Sequence, residues 1–321
     1  MNYIQQAYKG LHEYWRYILG VGIAIGGVFI FSLPHALAIA LKTFSGDVDQ
    51  SQVGDVNYLF SLFDPNLNLV FILLPFAGGL IALLLTTKYL HKLSFKSLTT
   101  ARHKIDWKRF WFIFFFWGII SSGLVLIDYF QNPDSYIINF KTTQFIILCV
   151  ISILLVPIQT SFEEYLFRGY LMQGIGVIFK NRWLPLIITS TVFGLLHIAN
   201  PEIDKLGYIL LVYYIGTGLF LGVITLMDDG MELALGFHAA NNLFTALLVT
   251  ADWTSFQTHS ILKDISDPEK AGFLDTFLPV FVIFPILLFI LSKKYKWTNW
   301  QDRLFGKVVS PTKEDYKILE D

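Results

Sequence analysis

Eight windows of the chain are apolar and almost free of charge: about 17–41, 67–90, 110–130, 143–166 (extending to 173), 184–198, 207–227, 232–250 and 273–292. An α-helix needs roughly 20 such residues to cross the hydrocarbon of a bilayer. No water reaches that layer, so a spanning segment has to satisfy its own backbone N–H and C=O groups, which an α-helix does by itself. The windows are far longer than membrane strands and do not alternate, so the expected class is all-α: a polytopic membrane bundle of about eight helices. Composition supports this, since only 15% of residues are charged against about 25% in soluble domains. The fifth window is short and the seventh is diluted by polar residues.

Cations distribute unevenly between the loops. With the N-terminus placed in the cytoplasm, the inside segments take Lys9, Arg16, the seven from Lys88 to Arg109, Arg168, Lys180, Arg182 and the seven from Lys293 to Lys317, or 19 of the 24. The outside segments take Lys42, Lys141, Lys205, Lys263 and Lys270. Positively charged loops stay inside, so both termini are expected in the cytoplasm and the number of spans is even. Residues 1–16 carry Tyr8, Tyr14 and Trp15 and are expected as an amphipathic lead-in at the interface. The first span is expected to stay uncleaved, because its apolar stretch is too long for a signal peptide and Pro34-His35 is a poor cleavage context. Its Gly20, Gly22, Gly26 and Gly27 would admit close helix approach. The loop 43–66 holds Asp47, Asp49, Asp55 and Asp64 and is expected outside. The basic segment Lys88 to Arg109 suits anionic lipid headgroups rather than nucleic acid. Cys149 is the sole cysteine and lies in an apolar run, so there is no disulfide framework.

One stretch breaks the pattern. Ser161 to Leu171 puts Glu163, Glu164 and Arg168 at the end of the apolar run from Gln144 to Ile158. An ionised group at membrane depth costs roughly 2.5–3.5 kcal/mol even on the lenient insertion scale, so such groups are usually paired and functional. Glu164 and Arg168 are four apart with the acid first, the favourable order for an intrahelical pair. That leaves Glu163, about 100° around the helix, without a partner of its own. Two backbone courses are open here. Either the helix continues to about Gln173 with a kink near Pro157, the preferred expectation, or Ser161-x-x-Glu164 caps a new interfacial helix.

Later spans add Phe193 to His197 and His238 to Asn242, the latter pair four apart on one helix face. Counting about 1.5 Å per residue, a continuous helix brings Glu163 to the depth of His197, His238 and Asn242. They are expected to converge in the inner half, around a water-filled cavity open to the cytoplasm. Such a set suits hydrolysis: a carboxylate beside a histidine takes a proton from water, and a histidine with an amide stabilises an oxyanion. Each group also has a plain structural reading, as a satisfied core histidine or, for Asn242 or Asn241, as glue between helices. Signatures of other hydrolases are missing: there is no His-Glu-x-x-His, Gly-x-Ser-x-Gly, Gly-x-Gly-Asp or Walker A loop.

In these residues the chain resembles the CAAX prenyl protease/bacteriocin-processing family of intramembrane endopeptidases, which includes the type II CAAX endopeptidase. The family motifs Glu-Glu-x-x-x-Arg, Phe-x-x-x-His and His-x-x-x-Asn/Asp occur in order, as Glu163 to Arg168, Phe193 to His197 and His238 to Asn242. The resemblance covers about residues 145–250. It implies that Glu163 activates water with help from His197, that His238 and Asn242 stabilise the oxyanion, and that Glu164 and Arg168 orient the first acid, with Phe193 as a supporting motif residue. It implies a bacterial cell-membrane endopeptidase cutting a peptide or membrane-protein substrate near the cytoplasmic face. No cofactor is required on this scheme, while zinc on Glu163, His197 and His238 stays open as a His₂Glu set. Also open is a non-catalytic member, an immunity or adaptor protein that binds a peptide or partner helix. An ion transporter is disfavoured, since the chain lacks paired discontinuous helices in two related halves. The expected division is a three-span region (1–142), the protease-like core (143–250), and a last span with a cytoplasmic tail (251–321).

Overall fold

The computed structural model describes residues 1–54, 56–267 and 273–311; Asp55, Lys270 and the end of the tail from residue 312 lie outside the described residues. In chain order the helices are α1 (Tyr14–Phe44), α2 (Val56–Ser61), α3 (Pro65–Leu85), α4 (Phe95–Thr99), α5 (Trp107–Gln131), α6 (Thr142–Glu164), α7 (Met172–Phe179), α8 (Trp183–Leu195), α9 (Pro201–Leu206), α10 (Leu211–Asp228), α11 (Glu232–Leu248), α12 (Phe273–Leu278), α13 (Phe284–Tyr295) and α14 (Trp300–Phe305). Each of the eight apolar windows is mainly helix, the fifth ending in a turn and the seventh in β-strand, and the protein is an all-α membrane bundle. Among the described residues, six helical stretches are long and apolar enough to cross a bilayer: Tyr14–Phe44, Pro65–Leu90, Trp107–Gln131, Thr142–Phe179, Tyr208–Asp228 and Thr276–Tyr295. The other two windows form α8, of 13 residues, and α11, of 17, about 20 and 26 Å long at 1.5 Å per residue.

The stretch around the paired acids is continuous. α6 passes through Glu164 without a cap at Ser161, winds as a π-helix over Tyr165–Leu171, and continues as α7 to Phe179, six residues beyond Gln173. π-helical turns inside α-helices recur at functional sites because the extra residue re-aims its neighbours. Here the π turn carries Arg168.

Contacts between loops define the two ends of the bundle. At one end meet the N-terminus, the segment after α3, the start of α5 and of α11, the end of α10 and the residues after α13. The contacts include Gly10 against His91 O, Arg102 with Asp228 and Glu232, and Trp297 with Asp228. This is the cation-rich end. At the other, Asn66 donates to Gln144 O, His259 lies 3.3 Å from Asp64, and a small sheet forms. Strand β1 (Tyr136–Ile138) pairs antiparallel with β3 (Leu262–Asp264), which pairs parallel with β2 (Val249–Thr250). Nothing in the apolar pattern foresees this sheet.

Two further expectations need correction. The first ten residues are no surface lead-in: Tyr3, Ile4, Ala7 and Tyr8 are buried and Ile4 packs against Gly176 of α7, whereas Tyr14 and Trp15 are exposed as expected. Of the four glycines of α1, Gly27 does meet α3, where a Cβ would fall 2.4 Å from Gly78 O, and Gly20 faces the Tyr170 hydroxyl. Gly22 and Gly26 face open space.

Candidate active site

The rotation of about 100° between successive helical residues divides the acids of α6. Glu164 and Arg168 face the protein interior, both with 0% side-chain exposure, and pair at 3.1 Å. Arg168 was counted with the inside cations; it is instead sealed within the bundle. Its second nitrogen donates to Gly218 O of α10 (3.2 Å), and its guanidinium lies 4.3 Å over the Phe193 ring, a cation–π contact that steadies a desolvated charge. Glu164 Oε1 also meets His238 Nδ1 at 2.8 Å. A carboxylate paired with arginine can only accept, so Nδ1 carries the proton.

Glu163 faces the other way. The sequence left it without a partner, but Gln159, one turn earlier on the same face, donates Nε2 to Glu163 Oε1 (2.8 Å). Gln159 in turn accepts from Asn242 Nδ2 (3.1 Å), so α11 positions the acid through one amide. Glu163 Oε2 is a buried acceptor without a hydrogen bond, 3.4 Å from His238 Nε2. His238 thus stands between the two acids, orientated by the inner one and presented to the outer one. Asn242 is steadied from its other side by Asn241, which donates to Asn242 Oδ1 (3.2 Å) and accepts from Trp117. Gln159 was missed in the sequence; its signal was a buried-type amide one turn before Glu163 in an apolar run.

His197 does not lie in a helix. α8 ends at Leu195, and the turn that follows carries the imidazole before Asn200-Pro201 start α9. Its Nδ1 is 2.8 Å from Phe193 O; a carbonyl only accepts, so Nδ1–H donates and Nε2 is the basic nitrogen. The ring stacks on Tyr214, with centroids 4.1 Å apart. It is His238, not His197, that is directly apposed to Glu163.

Glu163, His197, His238, Asn242 and Gln159 line one cavity of about 780 Å³, within the size range of ligand pockets. Its floor includes the buried Phe167, Phe193 and Phe237. It extends past Tyr213 and Tyr214 to Asn200–Glu202 and to Trp253–Phe256, next to β2. Glu202 ties these two segments together, accepting from Ser255 N and Oγ at 2.9 Å each. The cavity, expected to open to the cytoplasm, does not run toward the cation-rich end. Arg102 and Arg109, gripping Asp228 and Glu232, close that end, and the cavity runs to the opposite one.

Among the described residues, no three His, Cys, Asp or Glu side chains gather closely enough to hold a metal ion. Glu163, His197 and His238 are therefore too far apart as placed to hold zinc as a set, although the Nδ1–H bond of His197 to Phe193 O leaves its Nε2 free.

The family model for type II CAAX prenyl endopeptidases (Rce1-like) matches residues 142–244. The chain is 30% identical over 256 residues to the uncharacterized protein YyaK of Bacillus subtilis (strain 168), across 78% of this chain and 83% of that protein. No solved structure matches.

Proposed function

The chain belongs to the Rce1-like type II CAAX prenyl endopeptidase family, and from that premise we propose that it is an intramembrane endopeptidase in which Glu163 activates the hydrolytic water. The observation that carries this reading is the buried, unbonded Glu163 Oε2, 3.4 Å from His238 Nε2 on the wall of the cavity that His197 also lines. Glu163 takes a proton from water, and the water oxygen bonds to the scissile carbonyl carbon. His197 Nε2, the basic nitrogen, accepts a hydrogen bond from the same water and orients it. The carbonyl oxygen becomes an oxyanion, which the Asn242 Nδ2 amide stabilises together with His238 Nε2–H, the ring carrying a proton on both nitrogens between the two acids in this step. The C–N bond then breaks, and the proton held by Glu163 passes to the departing amine. Glu164 and Arg168 are positioning residues that act through His238. No metal enters any of these steps.

Comparative proteomics of membranes from cells carrying the wild-type chain or Glu163→Gln tests this. Cleaved products present only with the wild type, at equal protein level, are expected. A wild-type fragment pattern that persists in both Glu163→Gln and His197→Ala overturns the reading. If the variant still protects cells or captures a partner as the wild type does, the non-catalytic immunity or adaptor reading takes its place.

A further inference from the structure

We infer that the cavity receives its substrate from the extracytoplasmic side of the membrane, as a peptide segment of an exported or membrane-anchored protein. This rests on the endopeptidase reading for the word substrate; the side of access stands on geometry and charge alone.

The first observation is where the cavity ends. Beyond the catalytic side chains it is bounded by Ala199–Glu202 and by Trp253–Phe256. These segments adjoin β2 and β3, at the end where Asn66 meets the start of α6 and His259 meets Asp64. Leu196 and Ala199, both on the cavity wall, are exposed.

The second observation is the seal at the other end. Arg102 pairs with Asp228 (2.7 Å) and Glu232 (3.0 Å), and Arg109 pairs with Asp228 (2.5 Å). Trp297 donates to Asp228 as well (3.0 Å). Deeper in, the fully buried Tyr3 places its hydroxyl 2.8 Å from Leu98 O and 3.0 Å from Arg168 O, one proton serving either acceptor. A peptide entering from this end would have to break several desolvated ion pairs, each costly to separate.

The third is the sign of the two ends. With Arg168 set aside as buried, the described loops and termini of the sealed end carry 16 cations and those of the open end carry four. Cation-rich loops are retained in the cytoplasm. The sealed end is therefore cytoplasmic and the mouth faces outward. Aromatic walls, with Tyr213, Trp253 and Phe256 among the lining residues, suit apolar side chains flanking the scissile bond.

Single cysteines test the assignment. Cys149 is the only native cysteine, so Cys149→Ala supplies the background. Ala199→Cys at the mouth, Asp252→Cys on the neighbouring loop and Lys104→Cys in the basic segment are all exposed positions. A membrane-impermeant maleimide on intact cells should label the first two and not the third; inside-out vesicles should show the reverse. Labelling of Lys104→Cys from outside, or of mouth and basic segment from the same side, overturns the inference. The readout needs no catalysis: an inactive protein labelled as expected upholds the access side and overturns only the protease reading. For an active protein, Glu163-dependent cleavage sites should map to extracytoplasmic or outer-leaflet segments. Sites confined to cytoplasmic segments overturn the inference and leave the protease reading intact.

Discussion

Glu163 and Glu164 are chemically identical neighbours, and removing the charge of each should have opposite consequences. Glu164 has no exposed side-chain surface, and its carboxylate serves two donors, Arg168 at 3.1 Å and His238 at 2.8 Å. In Glu164→Gln the fully buried guanidinium keeps only Gly218 O, at 3.2 Å, and whichever hydrogen bond the new amide oxygen can supply. Removing one member of a buried ion pair costs about 3–5 kcal/mol. One retained hydrogen bond argues for the lower figure, about 3 kcal/mol, which is roughly a hundredfold in the folding equilibrium and a large share of a typical stability of about 5–15 kcal/mol. Glu163 lies on the cavity wall with 12% side-chain exposure, and its bond from Gln159 survives in Glu163→Gln because an amide oxygen also accepts. Stability should stay near wild type, whereas loss of a general base lowers turnover by about 10²–10⁴-fold. Thermal unfolding of the purified protein, alongside precursor accumulation in cells, measures both effects. If Glu164→Gln unfolds at the wild-type temperature, or if Glu163→Gln is the less stable of the two, the division of labour derived from their burial is refuted.

Three other outcomes follow from the same geometry. Gln159→Leu releases Glu163 and Asn242 from each other; kcat should fall by about 10–100-fold through misplacement of the base, while the folded state loses about 1 kcal/mol because both freed groups face the cavity. A KM effect without a kcat effect would assign Gln159 to substrate binding instead. Burial holds the His91 imidazole below its ordinary pKa, with Leu11 O at Nδ1, the Tyr170 hydroxyl at Nε2, and Arg16 and Glu13 nearby. The folded state therefore binds this proton more weakly than the unfolded chain, so stability is full above about pH 6.5 and declines as the pH falls below it. The unfolding temperature should drop between pH 7.5 and 5.5, and His91→Gln should flatten that dependence; an unchanged slope in the variant excludes His91 as its source. Finally, cleavage should persist after dialysis against a strong chelator, since the three residues nominated for zinc do not fit it as placed; loss of activity restored by added zinc would require a rearranged site.

Several features of this protein were legible without coordinates. Windows too apolar for water and long enough to span hydrocarbon dictate a helical bundle, and each of them is mainly helix. Spacing within one helix is equally readable: four residues bring Glu164 onto Arg168, because 3.6 residues complete a turn whatever surrounds it. The distribution of cations between loops could likewise be counted directly.

Relations between helices were a different matter. That Asn242 reaches Glu163 through Gln159, that His238 rather than His197 is apposed to the acid, and that His197 sits in a turn beyond α8 all depend on how each helix is rotated and where it stops. The end to which the cavity runs differs from the one expected, since it follows from Arg102 and Arg109 closing one end on acids more than 100 residues away. Periodicity is a property of a single segment. Rotation, tilt and closure are settled by packing among segments, and only the assembled tertiary structure contains that information.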